Sequence, residues 1–114
     1  VWLMTRQEDV RHIGVVTLMP IFHAACRQLA YWVEPDFHTQ GYATLAVRAV
    51  TQFCFEHTQV VRIQAQCLAD NPASIRVLEK NGYVKEADMP ASHQRGQEYI
   101  PSLLYAKVRA EYAH

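Results

Sequence analysis

The sequence predicts a mixed α/β fold with one layer of sheet. Three observations point to it. The chain has 114 residues, one domain's worth, and 50% of them are hydrophobic, enough for a core. Short β-branched and aromatic runs are separated by two stretches of helical period. Their order is strand, strand, strand, helix, strand, helix, strand, strand, which suits helices laid on a single sheet.

The elements follow in turn. Val1–Arg6 is a short apolar start that ends in Gln7-Glu8-Asp9. His12–Phe22 carries Ile13, Val15, Met19 and Ile21 on one parity and Val16 and Leu18 on the other, which predicts a strand buried on both faces. Gln28–Glu34 reads as a third strand, with Tyr31 and Trp32, and Pro35 ends it. In Tyr42–His57 the period changes. Leu45, Ala49 and Phe53 form one row and Ala46, Val50 and Cys54 the next, while Thr44, Arg48, Thr51 and Gln52 mark a wetter face. Val60–Leu68 alternates, with Val61, Ile63, Ala65 and Cys67 facing one way and Arg62, Gln64 and Gln66 the other. Asn71 and Pro72 are a cap and a first helical residue for a helix to about Lys80, and Asn81-Gly82 stops it. Tyr83–Ala87 and Tyr99–Arg109 are two antiparallel strands around a polar loop holding Gly96. The whole of 1–114 reads as one domain.

Composition excludes several classes. Eleven Lys and Arg balance eleven Asp and Glu, so no net positive field draws nucleic acid or a membrane surface. Apolar stretches fall far short of the roughly 20 residues a bilayer span needs. Cys26, Cys54 and Cys67 are odd in number and widely spaced, which is no disulfide framework and predicts a reducing, cytoplasmic setting. Cys54 and His57 lie one turn apart, but two ligands make no zinc site, so no metal is expected. The chain begins Val1-Trp2-Leu3 without an initiator Met and reads as the remainder of a longer or processed product.

The chemistry centres on His38-Thr39-Gln40-Gly41-Tyr42-Ala43, between a strand and a long helix. A helix start has N–H groups without internal partners and a positive dipole end, and it binds phosphate without basic side chains. Gly41 would let the backbone approach an anion closely, although an ordinary strand-to-helix turn would carry the same glycine.

Three runs resemble the GNAT acetyltransferase superfamily. They are Leu29-Ala30-Tyr31-Trp32-Val33-Glu34-Pro35, Gly41-Tyr42-Ala43-Thr44, and the block from Asn71 to Tyr83. The likeness is strongest to the branch containing ribosomal-protein N-terminal acetyltransferases, and it runs from about His12 to Tyr112. It implies a mostly antiparallel mixed sheet flanked by helices, with acetyl-coenzyme A as co-substrate. The family's loop signature is Arg or Gln, two residues, Gly, one residue, then Gly or Ala. Gly41 and Ala43 match it, whereas His38 stands where Arg or Gln is expected and Thr39 where Gly is common. By this resemblance the backbone of His38, Thr39, Gln40, Gly41, Tyr42, Ala43 and Thr44 would hold the pyrophosphate. Trp32 and Val33 would pair with the pantetheine arm, Asn71 would hydrogen-bond it, and Ser74 would sit near the sulfur.

Acetyl transfer to an amine needs a neutral amine, a donor for the oxyanion and a proton for the leaving thiolate. Ser74 is the candidate proton donor. Tyr83 has a better-matched phenol but reads as core. In this branch the residue before Leu29 is often Glu; here it is Gln28, which is no base. His23 and Glu34 are the remaining candidates, and water could also take the proton. Cys67 reads as packing. Arg76 and Lys80, one turn apart, could reach the coenzyme's outer phosphates.

The predicted function is therefore N-acetyl transfer from acetyl-coenzyme A by direct attack of an amine. The acceptor would be a protein N-terminus, an antibiotic or a polyamine. The rivals are a non-catalytic acyl-coenzyme A binding module and a structural domain without coenzyme. The resemblance also implies a first strand and two helices that have no counterpart here. The expectation is then an exposed apolar sheet face, covered in a homodimer or by the rest of a longer chain.

Overall fold

The computed structural model describes the backbone of residues 2–6, 11–33 and 41–112, and the side chains of 14–33 and 41–112. The elements are β1 (Trp2–Arg6), β2 (Arg11–Ile21), β3 (His23–Val33), α1 (Tyr42–His57), β4 (Arg62–Leu68), α2 (Pro72–Lys80), β5 (Val84–Arg95) and β6 (Glu98–Val108), followed by a 3-10 turn at Ala110–Tyr112. The strands form one six-stranded sheet in the order β1-β2-β3-β4-β6-β5. Only β3 and β4 run parallel; every other neighbouring pair is antiparallel. This is the predicted mixed α/β architecture with one sheet.

Both helices lie on one face. Val16, Leu29, Ile63, Ala65, Cys67 and Tyr105 from the strands pack with Val47, Val50 and Cys54 of α1 and Leu78 of α2. The alternation predicted for β4 holds on this face, where Ile63, Ala65 and Cys67 are all buried.

Three expectations are corrected. In α1 the buried stripe is Val47, Val50, Thr51 and Cys54, while Leu45 is 58% and Phe53 48% exposed. Apolar residues occur nearly all round this helix, so its period does not single out the core face. Thr51 goes inward because its hydroxyl has a partner there, the Tyr83 hydroxyl at 2.8 Å. In β2 only the helix-side row is deeply covered. Val16 is fully buried, Leu18 on its row and Val15 and Ile21 on the other are half-buried, and Met19 is 61% exposed; the side chain of Ile13 lies outside the described residues. In β4 Gln64, expected on the wetter side, is buried at 4% exposure because its oxygen accepts from Arg62 at 3.0 Å and its amide donates to Gln28 at 3.2 Å, with Arg62 in turn held by Glu86 at 2.7 Å.

Two boundaries also move. β3 begins at His23 because Phe22 takes a left-handed φ of 65° and turns the chain directly after β2. Nothing in the sequence marks that turn, since a bulky residue rarely adopts φ above zero. β5 extends to Arg95 rather than Ala87. It is an edge strand exposed on both faces, so its residues show no hydrophobic alternation. Its register slips between Met89 and His93, around Pro90 and a left-handed Ala91 with φ 54°. Such a bulge is where a sheet edge accepts proline.

Candidate active site

The parallel ladder between β3 and β4 is short. It joins Cys26–Leu29 to Arg62–Ala65, after which β3 continues to Val33 and β4 to Leu68. Two helix starts stand beside this divergence. Val33 packs against Tyr42 and Ala43 at the start of α1. Tyr31 reaches the first turn of α2, with its hydroxyl 2.6 Å from the Ser74 hydroxyl.

The start of α1 has the geometry of an anion site. Gly41 is the N-cap residue with φ 78° and ψ 4°, and no side chain caps the helix. The first helical bond runs from the Leu45 N–H to the Gly41 carbonyl at 3.1 Å, so the N–H groups of Ala43 and Thr44 have no partner within the helix. Among the described residues a Cβ at Gly41 would meet no atom within 4 Å. His38, Thr39, Gln40 and Glu34 lie outside the described residues.

At α2 the sequence folds as its capping residues dictate. The Asn71 side-chain oxygen accepts from the Ser74 N–H at 3.2 Å, and Pro72 occupies the first turn. Capping uses only the Asn71 oxygen, and its amide N–H2 makes no hydrogen bond among the described residues. The far end of α2 is tied to α1. Asn81, buried, donates from its amide to the Val77 carbonyl at 2.8 Å and to the Thr44 carbonyl at 3.2 Å.

The predicted site residues thus divide. Trp32, Val33, Gly41, Tyr42, Ala43, Thr44, Asn71 and Ser74 come together at the β3–β4 divergence and the two helix starts. Tyr31 belongs with them and was not singled out as functional in the sequence. The signal lay in its parity: it shares a face with Leu29 and Val33 and so points to the helices. Burial pushes its phenol above the ordinary value, and the Ser74 hydrogen bond offsets part of that.

Other candidates are placed elsewhere. Tyr83 is buried and paired with Thr51, and burial drives its phenol up to about 12, which makes it a core residue and a poor acid. Cys67 is buried, with its thiol pushed up by burial, as packing requires. His23 sits at the opposite end of β3 from Val33, roughly 30 Å along an extended strand. Its Nδ1 accepts from the Ala25 N–H at 3.1 Å. A shallow cavity of about 270 Å³ beside the end of α2 is bordered by Arg48, Lys80 and Lys107. Arg76 is exposed on the same helix. Among the described residues no three His, Cys, Asp or Glu side chains gather as a metal site. Among the described residues no helix is long and apolar enough to cross a membrane.

Known proteins share this plan. Residues 1–84 match the acetyltransferase (GNAT) domain family. The chain is 26% identical over 110 residues to an uncharacterized N-acetyltransferase, YnaD, of Bacillus subtilis (strain 168), covering 96% of this chain and 64% of that protein. It is 25% identical over 99 residues to the ribosomal-protein-serine acetyltransferase of Escherichia coli (strain K12), covering 84% of this chain and 54% of that one. A solved spermidine N-acetyltransferase of Vibrio cholerae superposes with a TM-score of 0.86 at 16% identity, over 98% of this chain and 66% of that chain. The chain therefore spans less than two thirds of the length of these proteins. With a family match over residues 1–84 and the same fold, the chain belongs to the GNAT acetyltransferase family.

Proposed function

We propose that this protein transfers an acetyl group from acetyl-coenzyme A to an amine, by direct attack in a ternary complex. The observation that carries the reading is the divergence of β3 and β4 past Leu29 and Ala65, flanked by the starts of both helices. That arrangement offers an anion cradle, an extended backbone and a hydroxyl pair within one region.

The residues then take these roles. The backbone at Gly41–Thr44, with the preceding His38–Gln40, receives the pyrophosphate at the positive end of α1. The backbone of Trp32 and Val33 pairs with the pantetheine amides as an added strand would. The Asn71 amide donates to the same arm. Lys80 and Arg48 border one shallow cavity and would supply the cations for the outer phosphates.

In the reaction the amine nitrogen attacks the thioester carbon, the C–S bond breaks, and the amide and free coenzyme thiol leave. Ser74 gives its proton to the sulfur, the Tyr31 hydroxyl steadies the Ser74 oxygen from behind, and the proton shed by the acylated nitrogen returns to Ser74 through water. Gln28 has no basic atom, so the amine loses its proton to water. The acceptor is an amine on a protein N-terminus or a small molecule. A homodimer or a longer chain would cover the sheet face opposite the helices, where Met19 is 61% and Trp32 54% exposed. A cytoplasmic setting suits the three buried, unbridged cysteines.

The test is coenzyme release with a panel of amines, together with coenzyme binding by calorimetry. Binding and turnover support the reading. Binding without turnover on any amine leaves only a coenzyme-binding module. Ser74→Ala should lower kcat about tenfold or more and change coenzyme affinity little, because its hydrogen bond strengthens as thiolate charge develops. An equal loss in affinity with kcat intact would make Ser74 a binding residue only.

A further inference from the structure

The Tyr31 phenol and the Ser74 hydroxyl stand 2.6 Å apart where β3 meets the first turn of α2, and both residues are half-buried. The other polar groups of the pair are committed. The Ser74 N–H is taken by the Asn71 side-chain oxygen at 3.2 Å. The Ser74 carbonyl lies 3.4 Å from the phenol, and as a helical carbonyl it accepts from the next turn of α2. The contact between the two hydroxyls is therefore the one strong bond that the phenol makes among the described residues.

Acidity decides which hydroxyl donates. A phenol ionises at about pH 10, whereas an aliphatic alcohol is about as weak an acid as water. The alcohol oxygen is also the better acceptor, because a phenol oxygen shares its lone pair with the ring. Tyr31 therefore donates, Ser74 accepts, and the Ser74 hydrogen is free to turn away from Tyr31. The same difference limits Ser74 acting alone. An aliphatic thiol ionises at about pH 8.5. Drawing a proton for its thiolate from an isolated alcohol leaves an alkoxide far more basic than the thiolate it relieves. Drawing it from a phenol leaves a phenolate of nearly matched basicity. Burial raises the Tyr31 phenol, and the Ser74 bond works against that rise; the titratable groups that bear on it are Cys67 of β4 and Tyr83, both buried and both held neutral by burial.

Resting on the reading above, in which the thioester sulfur lies at Ser74, we infer that Tyr31 and Ser74 form a two-hydroxyl proton relay with Tyr31 as its proton source. As the adduct of amine and thioester collapses, the C–S bond breaks and its electron pair moves onto sulfur. The Ser74 proton goes to the sulfur, and the Tyr31 proton moves to the Ser74 oxygen. Ser74 ends as it began, and the negative charge rests on the Tyr31 phenolate. The proton shed by the acylated nitrogen then reaches Ser74 through water, and Ser74 passes its own proton back to the phenolate. Tyr31 does not touch the substrate: it is a positioning residue that acts through Ser74.

The test measures single-turnover rates, with the full-length protein in excess over acetyl-coenzyme A and with spermidine or a short alanine-led peptide as acceptor. Tyr31→Phe keeps the ring and its packing and removes the hydroxyl. It should lower the rate about tenfold or more and leave coenzyme affinity by calorimetry unchanged. Ser74→Ala already breaks the relay, so adding Tyr31→Phe to it should cost no further rate. Rates in mixtures of light and heavy water carry the signature of the relay. Two protons moving together make the rate fall along a curve as the deuterium fraction rises, and one proton makes it fall along a straight line. The native protein should give the curve and Tyr31→Phe the line. A tyrosine that only packed against Ser74 would alter the size of the rate and not the shape of that plot. A native rate in folded Tyr31→Phe overturns the inference, as do losses that multiply in the double variant or a straight line for the native protein. Should Tyr31→Phe fail to fold, the plot for the native protein decides. If the native protein binds the coenzyme and acetylates the amine while Tyr31→Phe is as fast, only this inference falls; if it binds no coenzyme, the functional reading falls as well.

Discussion

Leu78→Ala is expected to lower the free energy of unfolding by about 2–5 kcal/mol. Leu78 is fully buried and is the one residue of α2 that is buried outright. It packs in the cluster formed with Ile63, Val47 and Tyr83. A nine-residue helix is too short to persist on its own propensity, so this contact is what holds α2 to the sheet. Folded domains are stable by only about 5–15 kcal/mol, so the loss is a large share of the total. Leu78→Met, which conserves volume, should cost less than about 1.5 kcal/mol. Urea denaturation followed by circular dichroism measures both. A loss below about 1 kcal/mol for Leu78→Ala would mean that α2 is held by its ends and not by the core.

The helix ends were the most legible part of the sequence. Asn71-Pro72 and Asn81-Gly82 carry local chemistry that fixes α2 at Pro72–Lys80 irrespective of the rest of the molecule. The one-sided alternation of β4 was legible for the same reason, since period two is enough to choose a face. What escaped were features decided at a distance. Thr51 looked solvated because its partner, Tyr83, is 32 residues away in the chain. Gln64 looked solvated because it is satisfied by Gln28 of β3, 36 residues away, and by Arg62 of its own strand, which Glu86 of β5 holds in place. β5 was cut short because an edge strand holds its place through backbone bonds to β6 and leaves no apolar signature.

The candidate site was legible to the same degree. Gly41, Ala43, Asn71 and Ser74 stand out because helix starts are written in small and capping residues. Tyr31 carries no such mark, and its pairing with Ser74 needs β3 and α2 to meet across 43 residues of sequence. Gln28 read as a gap where a base belonged. Only the donor-to-acceptor order running from Arg62 through Gln64 fixes which way that amide turns.

Gly41→Val is expected to weaken coenzyme A binding at least tenfold, about 1.4 kcal/mol. Two effects contribute, and they can be separated. Gly41 has φ 78°, a left-handed conformation in which a β-branched residue is strained by about 1–3 kcal/mol. The second effect concerns space. A Cβ there meets nothing within 4 Å among the described residues, so the added side chain would occupy the approach assigned to the pyrophosphate. Asn tolerates the left-handed region far better than Val and fills much of the same space. Gly41→Asn should therefore keep near-native stability and still lose affinity. If Gly41→Asn binds as tightly as the native protein while Gly41→Val does not, backbone strain alone explains the loss. If a folded Gly41→Val protein binds coenzyme A with unchanged affinity by calorimetry, the pyrophosphate does not sit at the start of α1. The coenzyme would then have to enter the β3–β4 divergence by another route.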